Sequence, residues 1–238
     1  MERKLVYDLP TRLFHWIFGG LFLIAFAIAK TVDDDSSWFN LHSLVGLTLG
    51  FVVLLRIVWG IFGTQHARFS GFALNPMNLI TYFTGIMSGE KKRWAGHNPA
   101  SSWAGLVMMS LALCLAFTGY LMTSGPDKET FEDIHEILAN SFMIVVVLHI
   151  LGILLHTFRY KEMIGLSMID GKKAEVPPSQ TINSSKPFFG YLFVSLVLAF
   201  GMYLYKNYDL QKGALQFFGS SLQLGEPESN TAERDDSD

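Results

Sequence analysis

The sequence predicts an all-α membrane protein with five transmembrane helices. Half of its 238 residues are hydrophobic and only 16% are charged. Five stretches stay apolar over about 20 residues, the length that an α-helix needs to cross a hydrocarbon core of roughly 30 Å. Histidines lie inside or at the ends of these stretches, and ionisable residues within a membrane are costly and usually functional. We therefore expect a membrane protein whose histidines form a buried binding site.

The predicted elements follow one another along the chain with short connections. The five spans are about Leu13 to Ala29, Phe39 to Phe62, Trp103 to Met122, Ile137 to Phe158 and Pro187 to Tyr205. Apolar residues recur at helical spacing from Pro76 to Met87, which predicts a short helix lying at the membrane surface. Residues 163–186 predict a cytoplasmic polar linker. Residues 206–238 predict an acidic periplasmic tail, disordered from about Gly219.

The first span has a second interpretation. Residues 1–29 combine basic residues, an apolar run and the small-residue sequence Ala27-Ile28-Ala29, the pattern of a cleaved export signal. The run is long, however, and it carries His15 and Trp16 near its inner end, which an export signal does not need. We therefore predict that this segment is a retained span.

The distribution of Lys and Arg predicts the orientation, because such residues are enriched in cytoplasmic loops. Arg56 is assigned to the second span, and the other basic residues divide twelve against five in favour of the side that holds the N-terminus. Both short loops on the other side are acidic, with Asp33 to Asp35 in one and Asp127 to Asp133, read as a solvated loop, in the other. We expect a multi-pass membrane protein with its N-terminus on the cytoplasmic side and its C-terminus on the opposite side. The twelve are Arg3, Lys4, Arg12, Arg68, Lys91, Lys92, Arg93, Arg159, Lys161, Lys172, Lys173 and Lys186.

Two histidines of the fourth helix share one face. His135 and His149 are 14 residues apart, a rotation about 40° short of four full turns and a rise of about 21 Å. His42 begins the second span at the outer side and therefore matches the depth of His135. His15 begins the first span at the inner side, where either His149 or His156 can pair with it, and depth alone leaves both open.

This pattern predicts metal groups held between imidazoles at two depths. Neutral imidazole is a common metal ligand, and the single cysteine, Cys114, excludes a disulfide framework and a thiolate site. Two haems, each between two histidines, would use the four residues. Arg56 lies 14 residues after His42, on the same helix face at inner depth. A buried arginine needs an anion, such as a haem propionate or a group at a quinone site.

Other residues have less specific interpretations. His66 and His97 lie in the inner loop, where we expect them to face water. Gly46 and Gly50 of the second span either allow close helix packing or leave room for a porphyrin, and the sequence leaves both open. A histidine-lined metal-ion transporter is a rival class, but it predicts further carboxylates or cysteines in mid-membrane, and the spans carry almost none.

Several segments together resemble one known family. They are Val6 to Trp16 (VYDLPTRLFHW), Asn40 to Gly46 (NLHSLVG), Arg56 to Gly60 (RIVWG), Gly96 to Pro99 (GHNP), Ile134 to Asn140 (IHEILAN) and Leu148-His149 followed by His156. Over about residues 5 to 162 the chain resembles the bacterial cytochrome b561 family, which includes the b-type cytochrome subunits of nickel–iron hydrogenases. The resemblance implies a four-helix transmembrane haem-binding bundle over residues 1–162, to which residues 187–205 add a fifth transmembrane helix.

The resemblance also implies cofactors and roles. Two haem b groups are expected, the outer one held by His42 and His135 and the inner one by His15 and His149. His156 would then be free to contact a quinone, with Arg56 near the same haem. No residue is assigned to catalysis. Two axial histidines leave no open position on the iron, which favours outer-sphere electron transfer.

We therefore expect transmembrane electron transfer between the quinone pool and a periplasmic redox protein, such as a c-type cytochrome or a hydrogenase. We do not expect a nucleic acid as a partner. Some members of the family resemble free-standing superoxide:quinone oxidoreductases, and others resemble hydrogenase subunits. The sequence does not distinguish between these two functions. An anchor for a partner complex, with haem but no activity of its own, is also consistent with the sequence.

Overall fold

The helices form a membrane bundle in a computed structural model that describes residues 2–34, 36–89, 94–124 and 127–224. All helices except the third and sixth are long and apolar enough to cross a membrane, which confirms the five predicted spans and the all-α class. In chain order they are α1 (Leu9–Thr31), α2 (Asn40–Phe62), α3 (Pro76–Ser88), α4 (Pro99–Ser124), α5 (Lys128–Tyr160), α6 (Ser167–Asp170) and α7 (Pro187–Asn207).

The spanning helices alternate in direction and create two ends of the bundle. The start of α1 defines the N-terminal side, where α2 and α5 end and where α4 and α7 begin. The opposite end is the C-terminal side. Helices α1, α2, α4 and α5 pack on one another, and α7 packs against α1 and α2. The fifth span therefore lies outside the predicted four-helix unit.

An aromatic layer fills the middle of the four-helix unit. Phe142 of α5 is fully buried, and its ring stacks on Phe22 of α1 at a centroid distance of 3.8 Å. Phe18 contacts the same ring at 5.7 Å, while Val52 and Val53 of α2 are also fully buried beside the layer. Because α1 supplies two of these rings, it is an integral part of the core, which argues against the export-signal interpretation.

A buried carboxylate joins the start of α1 to the end of α2. Asp8 is fully buried, and its Oδ1 accepts a hydrogen bond of 2.9 Å from the Thr11 amide, which caps α1. Its Oδ2 accepts from Trp59 Nε1 at 3.1 Å and from Thr64 Oγ1 at 2.6 Å. A side-chain cap stabilises a helix end by about 1 kcal/mol, and the two further bonds fix α1 against α2.

The fourth predicted span begins earlier in the structure than in the sequence analysis. Helix α5 has 33 residues and starts at Lys128, so the acidic segment from Asp127 to Asp133 is almost entirely helical rather than a loop. Acidic residues near a helix N-terminus interact favourably with the helix dipole. His135 therefore lies about two turns inside the helix.

The segment that was predicted as a polar linker is folded onto the N-terminal side. Strand β1 (Arg3–Leu5) pairs antiparallel with β2 (Lys172–Ala174), and Val6 and Val176 are buried beside them. The prediction of a linker failed because the pairing partners are about 170 residues apart, so no local pattern reveals them.

The tail prediction is wrong for residues 206–224. After α7 the chain forms a three-stranded antiparallel sheet of β3 (Tyr208–Asp209), β4 (Ala214–Phe217) and β5 (Ser220–Gln223). Leu215 and Leu222 are buried against Leu204 of α7. These few apolar residues fold because the helices offer them a surface. Residues 225–238 lie outside the described residues.

Helix α3 confirms the predicted short helix. Asn75 caps it by accepting a hydrogen bond of 2.9 Å from the Met77 amide, and Gly89 ends it with a φ of 89°. Its exposed apolar side chains are Met77, Ile80, Phe83 and Met87. They suit a membrane surface, which remains a prediction. The basic residues Lys91, Lys92 and Arg93 and the acidic Asp35 lie outside the described residues.

Candidate functional site

Two of the predicted ligands meet near the C-terminal side. The rings of His42 on α2 and His135 on α5 have a centroid distance of 5.9 Å and an interplanar angle of 69°. A metal ion bonded to both imidazoles at about 2 Å per bond would place the two centroids roughly 6 Å apart. The spacing of the two rings would therefore allow both imidazoles to bind one metal.

Hydrogen bonds fix the tautomer of both rings. His42 Nδ1 lies 2.9 Å from the Ala25 carbonyl oxygen, which can only accept, so Nδ1 carries the proton. His135 Nδ1 lies 2.9 Å from Thr118 Oγ1, and this hydroxyl donates to the Cys114 carbonyl at 3.0 Å. The Thr118 oxygen therefore accepts from His135. Both rings keep an Nε2 lone pair for a metal, the arrangement in which the non-ligating ring N–H of a metal-bound histidine is held by an acceptor.

His15 and His149 lie at the other level of the bundle. Each is half-buried, and they are close enough for their charges to interact. The ring centroid of Trp16 lies 5.3 Å from that of His15. The Trp16 Nε1 donates a hydrogen bond of 2.9 Å to the Met168 carbonyl, which fixes this tryptophan beside His15. Phe142 is seven residues from each α5 histidine, so the aromatic layer lies between the two levels.

Arg56 is a buried cation with a hydrogen-bonding group to spare. It is 3% exposed, its Nη2 donates to the Ala67 carbonyl at 2.8 Å, and its guanidinium faces the Phe69 ring at 5.1 Å. Within the described part of the chain its buried Nη1 has no hydrogen-bond partner. An unsatisfied buried donor is costly, so this position fits an anionic group such as a carboxylate.

His156 has different surroundings from His149. Its ring stacks on Tyr160 at 4.3 Å with an interplanar angle of 21°. It also lines a cavity of about 170 Å³ together with Trp94 and Lys173. The imidazole is thus placed against a cavity near the N-terminal side.

The two loop histidines do not simply face water, as the sequence suggested. His97 packs between the rings of Tyr7 and Phe72, with centroid distances of 5.3 and 4.9 Å. Its burial, and then the nearby cation Lys173, lower its pKa to about 3. His66 Nε2 lies 2.7 Å from the Gln180 carbonyl oxygen. His66 is therefore held by the segment of residues 163–186, which folds back over the loop, whereas His97 is held by aromatic residues from the start of the chain and from the loop itself.

The two glycines of α2, Gly46 and Gly50, have different surroundings in the structure. A Cβ on Gly50 would lie 2.9 Å from Ala116 Cβ, so this glycine allows α2 to approach α4 closely. A Cβ on Gly46 would meet nothing within 4 Å. Gly46 lies one turn from His42, and the open space beside it is where a porphyrin would need room.

Sequence reasoning missed three residues of this site. Thr118 orients His135, Asp8 joins α1 to α2, and Lys173 is a buried cation at the cavity. Only Asp8 gave a local signal, as a helix cap just before the predicted first span. In the described ranges no three His, Cys, Asp or Glu side chains form a group that could hold a metal ion.

Comparison with known proteins gives a family match. The family model described as prokaryotic cytochrome b561 matches residues 6–171, which include α1 to α5 and every predicted ligand. A protein of Rhizobium leguminosarum bv. viciae described as a probable Ni/Fe-hydrogenase B-type cytochrome subunit is 26% identical over 151 residues, covering 53% of this chain and 63% of that relative. This match spans less than two thirds of the relative's length. No solved structure matches the chain significantly.

Proposed function

Because the chain belongs to the prokaryotic cytochrome b561 family, we propose that it passes electrons between a membrane quinone and a protein on the C-terminal side. Family membership gives the general function, transmembrane electron transfer in a multi-pass membrane protein, and implies haem b. It also disfavours the metal-ion transporter. The number of haems, the quinone, the partner and the orientation are our proposal.

Two haem b groups are proposed, one held by His42 and His135 and one by His15 and His149. Haem b supplies reversible one-electron oxidation and reduction when it is bound. The observation that carries the proposal is that the ring centroids of His42 and His135 lie 5.9 Å apart while both Nδ1 atoms are hydrogen-bonded. The protein's residues orient the imidazoles and exclude water from the bundle. Among the described residues the buried Nη1 of Arg56 has no hydrogen-bond partner, so it would donate a hydrogen bond to a propionate.

The quinone is proposed to react on the N-terminal side, and this side is proposed to face the cytoplasm. The cavity beside His156 supports the first point. The second rests on the basic residues of that side, since Lys and Arg favour the cytoplasmic face. The C-terminal side would then face the periplasm of a bacterial inner membrane.

A redox protein with a basic face is proposed as the partner on the C-terminal side. Phe39 stacks on His42 at a centroid distance of 5.3 Å, and the neighbouring Trp38 is 73% exposed. Exposed aromatic side chains are frequent in protein contacts. The surrounding acidic residues Asp33, Asp34, Glu129, Glu132 and Asp133 would attract a basic partner and would repel superoxide, which disfavours the superoxide alternative.

The proposal is tested by haem counting in the unmodified protein and in three histidine variants. The purified protein should contain two haem b per chain in a pyridine haemochrome assay. His42→Ala and His135→Ala should each remove the same single haem, because both residues would hold one iron. His15→Ala should remove the other haem. A protein with one haem, or two variants that remove different haems, would contradict the proposed pairing.

A further inference from the structure

A β-hairpin folds back along the last membrane-spanning helix on the C-terminal side. Strand β4 pairs antiparallel with β5, and a two-residue turn of Phe218 and Gly219 joins them. The ring centroid of Phe217 lies 6.5 Å from that of Phe200, and the ring of Phe218 stacks on Tyr203 at 5.2 Å. Because both partners belong to α7, the turn lies beside this helix rather than beyond its end.

The depth of the turn follows from its partners on α7. The helix has 21 residues and is therefore about 31 Å long, which matches a hydrocarbon core of roughly 30 Å. Tyr203 and Phe200 precede its last residue, Asn207, by about 6 and 10 Å along the axis. Ala214 at the start of β4 pairs with Asp209, which follows the helix. The strand therefore runs from the water side down to the boundary of the hydrocarbon core.

The composition of the hairpin suits this boundary. Residues 213–224 contain no Asp, Glu, Lys or Arg. One face of the hairpin is buried against α7, and strand β5 packs against α4. The exposed side chains of the two strands are all Gln or Ser, and the Gln216 amide donates to Ser221 Oγ at 3.1 Å. The turn, by contrast, exposes Phe218, whose side chain is 75% accessible.

The backbone of the turn has a hydrogen-bond partner on the helix. The N–H of Phe218 donates to the Tyr203 hydroxyl at 2.9 Å, and this hydroxyl donates to the Gln216 carbonyl at 3.5 Å. Water serves this purpose for an ordinary exposed turn, whereas an unpaired backbone group is costly in a lipid environment. The tip of the hairpin is therefore suited to a position with little water.

Phe218 is not a residue that this turn favours. Its φ is 48° and that of Gly219 is 91°, as in a type I′ turn, where asparagine and glycine are preferred. A bulky residue with a positive φ is strained. Strained positions persist where the side chain has a function, and here the side chain is an exposed phenyl ring at the depth of the membrane boundary.

We propose that the β4–β5 hairpin is a membrane anchor, in which Phe218 inserts into the lipid at the hydrocarbon boundary on the C-terminal side. The ligand of this surface is the bilayer and not a protein. Its depth beside a membrane span, its uncharged composition and its hydrogen-bonded tip support this assignment. The anchor is independent of the proposed electron transfer, because the hairpin packs near Leu44, which is about 200° around α2 from His42.

Spin labels at two positions of the sheet test the depth. In a Cys114→Ser background, Phe218→Cys and Leu210→Cys each receive a nitroxide, and the holoprotein is reconstituted in phosphatidylcholine vesicles. Leu210 is a matched control, because it is also apolar and 59% exposed but lies in the turn at the water side of the same sheet. The label at position 218 should collide several-fold more often with dissolved oxygen than with a water-soluble nickel complex. The label at position 210 should show the reverse order.

Phe218→Asn and Phe218→Trp separate the ring from the turn. Asparagine suits the positive φ, so in a hairpin that only faces water Phe218→Asn should slow amide hydrogen exchange. For a ring buried in lipid, Phe218→Asn should instead make exchange over residues 214–223 about tenfold faster in vesicles. Phe218→Trp should exchange like the unmodified protein, because tryptophan also favours the membrane interface. Haem content should be unchanged in both variants.

Three results would overturn the anchor. One is a label at position 218 that meets the nickel complex as often as the label at position 210. Another is slower hydrogen exchange in Phe218→Asn. The third is a label at position 218 that is accessible in vesicles of the purified protein but shielded in native membranes, which would assign the tip to contact with a protein partner.

Discussion

Two of the candidate ligands, His42 and His135, are each oriented by a hydrogen bond that does not involve the nitrogen proposed to bind the metal. For His42 the acceptor is the Ala25 carbonyl of α1, and for His135 it is the Thr118 hydroxyl of α4. Each imidazole is thereby held from a helix other than its own. Such partners fix ring orientation and raise the basicity of the ligating nitrogen. Haem affinity at this level should therefore depend on Thr118 as well as on the histidines.

Thr118→Val tests this dependence. Valine has a similar shape but cannot accept the His135 N–H, so we expect affinity for one haem to fall about 10- to 100-fold. Haem retention during titration with a competing haem-binding protein measures the change. Thr48→Val is a matched control, because the Thr48 hydroxyl donates to the Leu44 carbonyl at 2.8 Å in the same way but no hydrogen bond joins it to a histidine. Equal haem retention in the two variants would contradict the assigned role.

At the scale of the element, α2 combines ligation with close packing. Gly50 lets it approach α4, Gly46 leaves space next to His42, and Arg56 reaches the other level on the same helix. Helix α5 likewise presents histidines at two depths on one face. Helices α2 and α5 therefore each carry two candidate site residues 14 positions apart, one at each level. Helix α1 supplies His15 and the Ala25 carbonyl, and α4 supplies the Thr118 hydroxyl.

The open space at Gly46 predicts the effect of a larger side chain. Gly46→Leu should reduce the content of the haem at the His42 level by more than half while the protein still inserts and keeps its helix content. Leucine would occupy the space next to His42 that a porphyrin needs. Gly201→Leu on α7 is the control, because a Cβ there also meets nothing within 4 Å but lies outside the four-helix unit. Full occupancy of both haems in Gly46→Leu would show that the space serves another purpose.

At the scale of the whole molecule, the segments after α5 close both ends of the bundle. Residues 163–186 cover the N-terminal side through the β1–β2 pair and the Trp16–Met168 hydrogen bond. The sheet of β3 to β5 packs on α7 and α2 at the other end through a cluster that includes Leu44, Leu204 and Leu215. Both ends of the family-matched helices therefore contact segments that follow α5 in the chain.

The lowered pKa of His97 predicts how the stability of the N-terminal side depends on pH. The pKa of His97 is lowered from 6.5 to about 3 in the folded protein, so between these values the unfolded chain binds a proton that the folded chain does not. Stability should therefore fall as the pH drops from about 6.5 toward 3. In His97→Phe, whose ring can pack between Tyr7 and Phe72, this loss should be smaller. Thermal unfolding between pH 7 and pH 4 measures it, and equal slopes in the two proteins would exclude the assignment to His97.

The proposed orientation predicts which positions are accessible from the periplasm. In a Cys114→Ser background, Leu210→Cys should react with a membrane-impermeant maleimide in intact spheroplasts, since Leu210 is 59% exposed on the C-terminal side. Lys161→Cys on the opposite side should react only after lysis. The reverse pattern would invert the orientation and place the quinone cavity at the periplasmic face.

The sequence by itself determined the five spans, the two levels of histidines and the family. These follow from local composition and from helical periodicity, which depend only on residues near one another in the chain. The tertiary structure decided which side chains orient His135, which glycine packs and which leaves space, and how residues 163–186 build a cavity around Lys173. Those features depend on contacts between residues far apart in sequence, and apolar patterning carries no information about such partners.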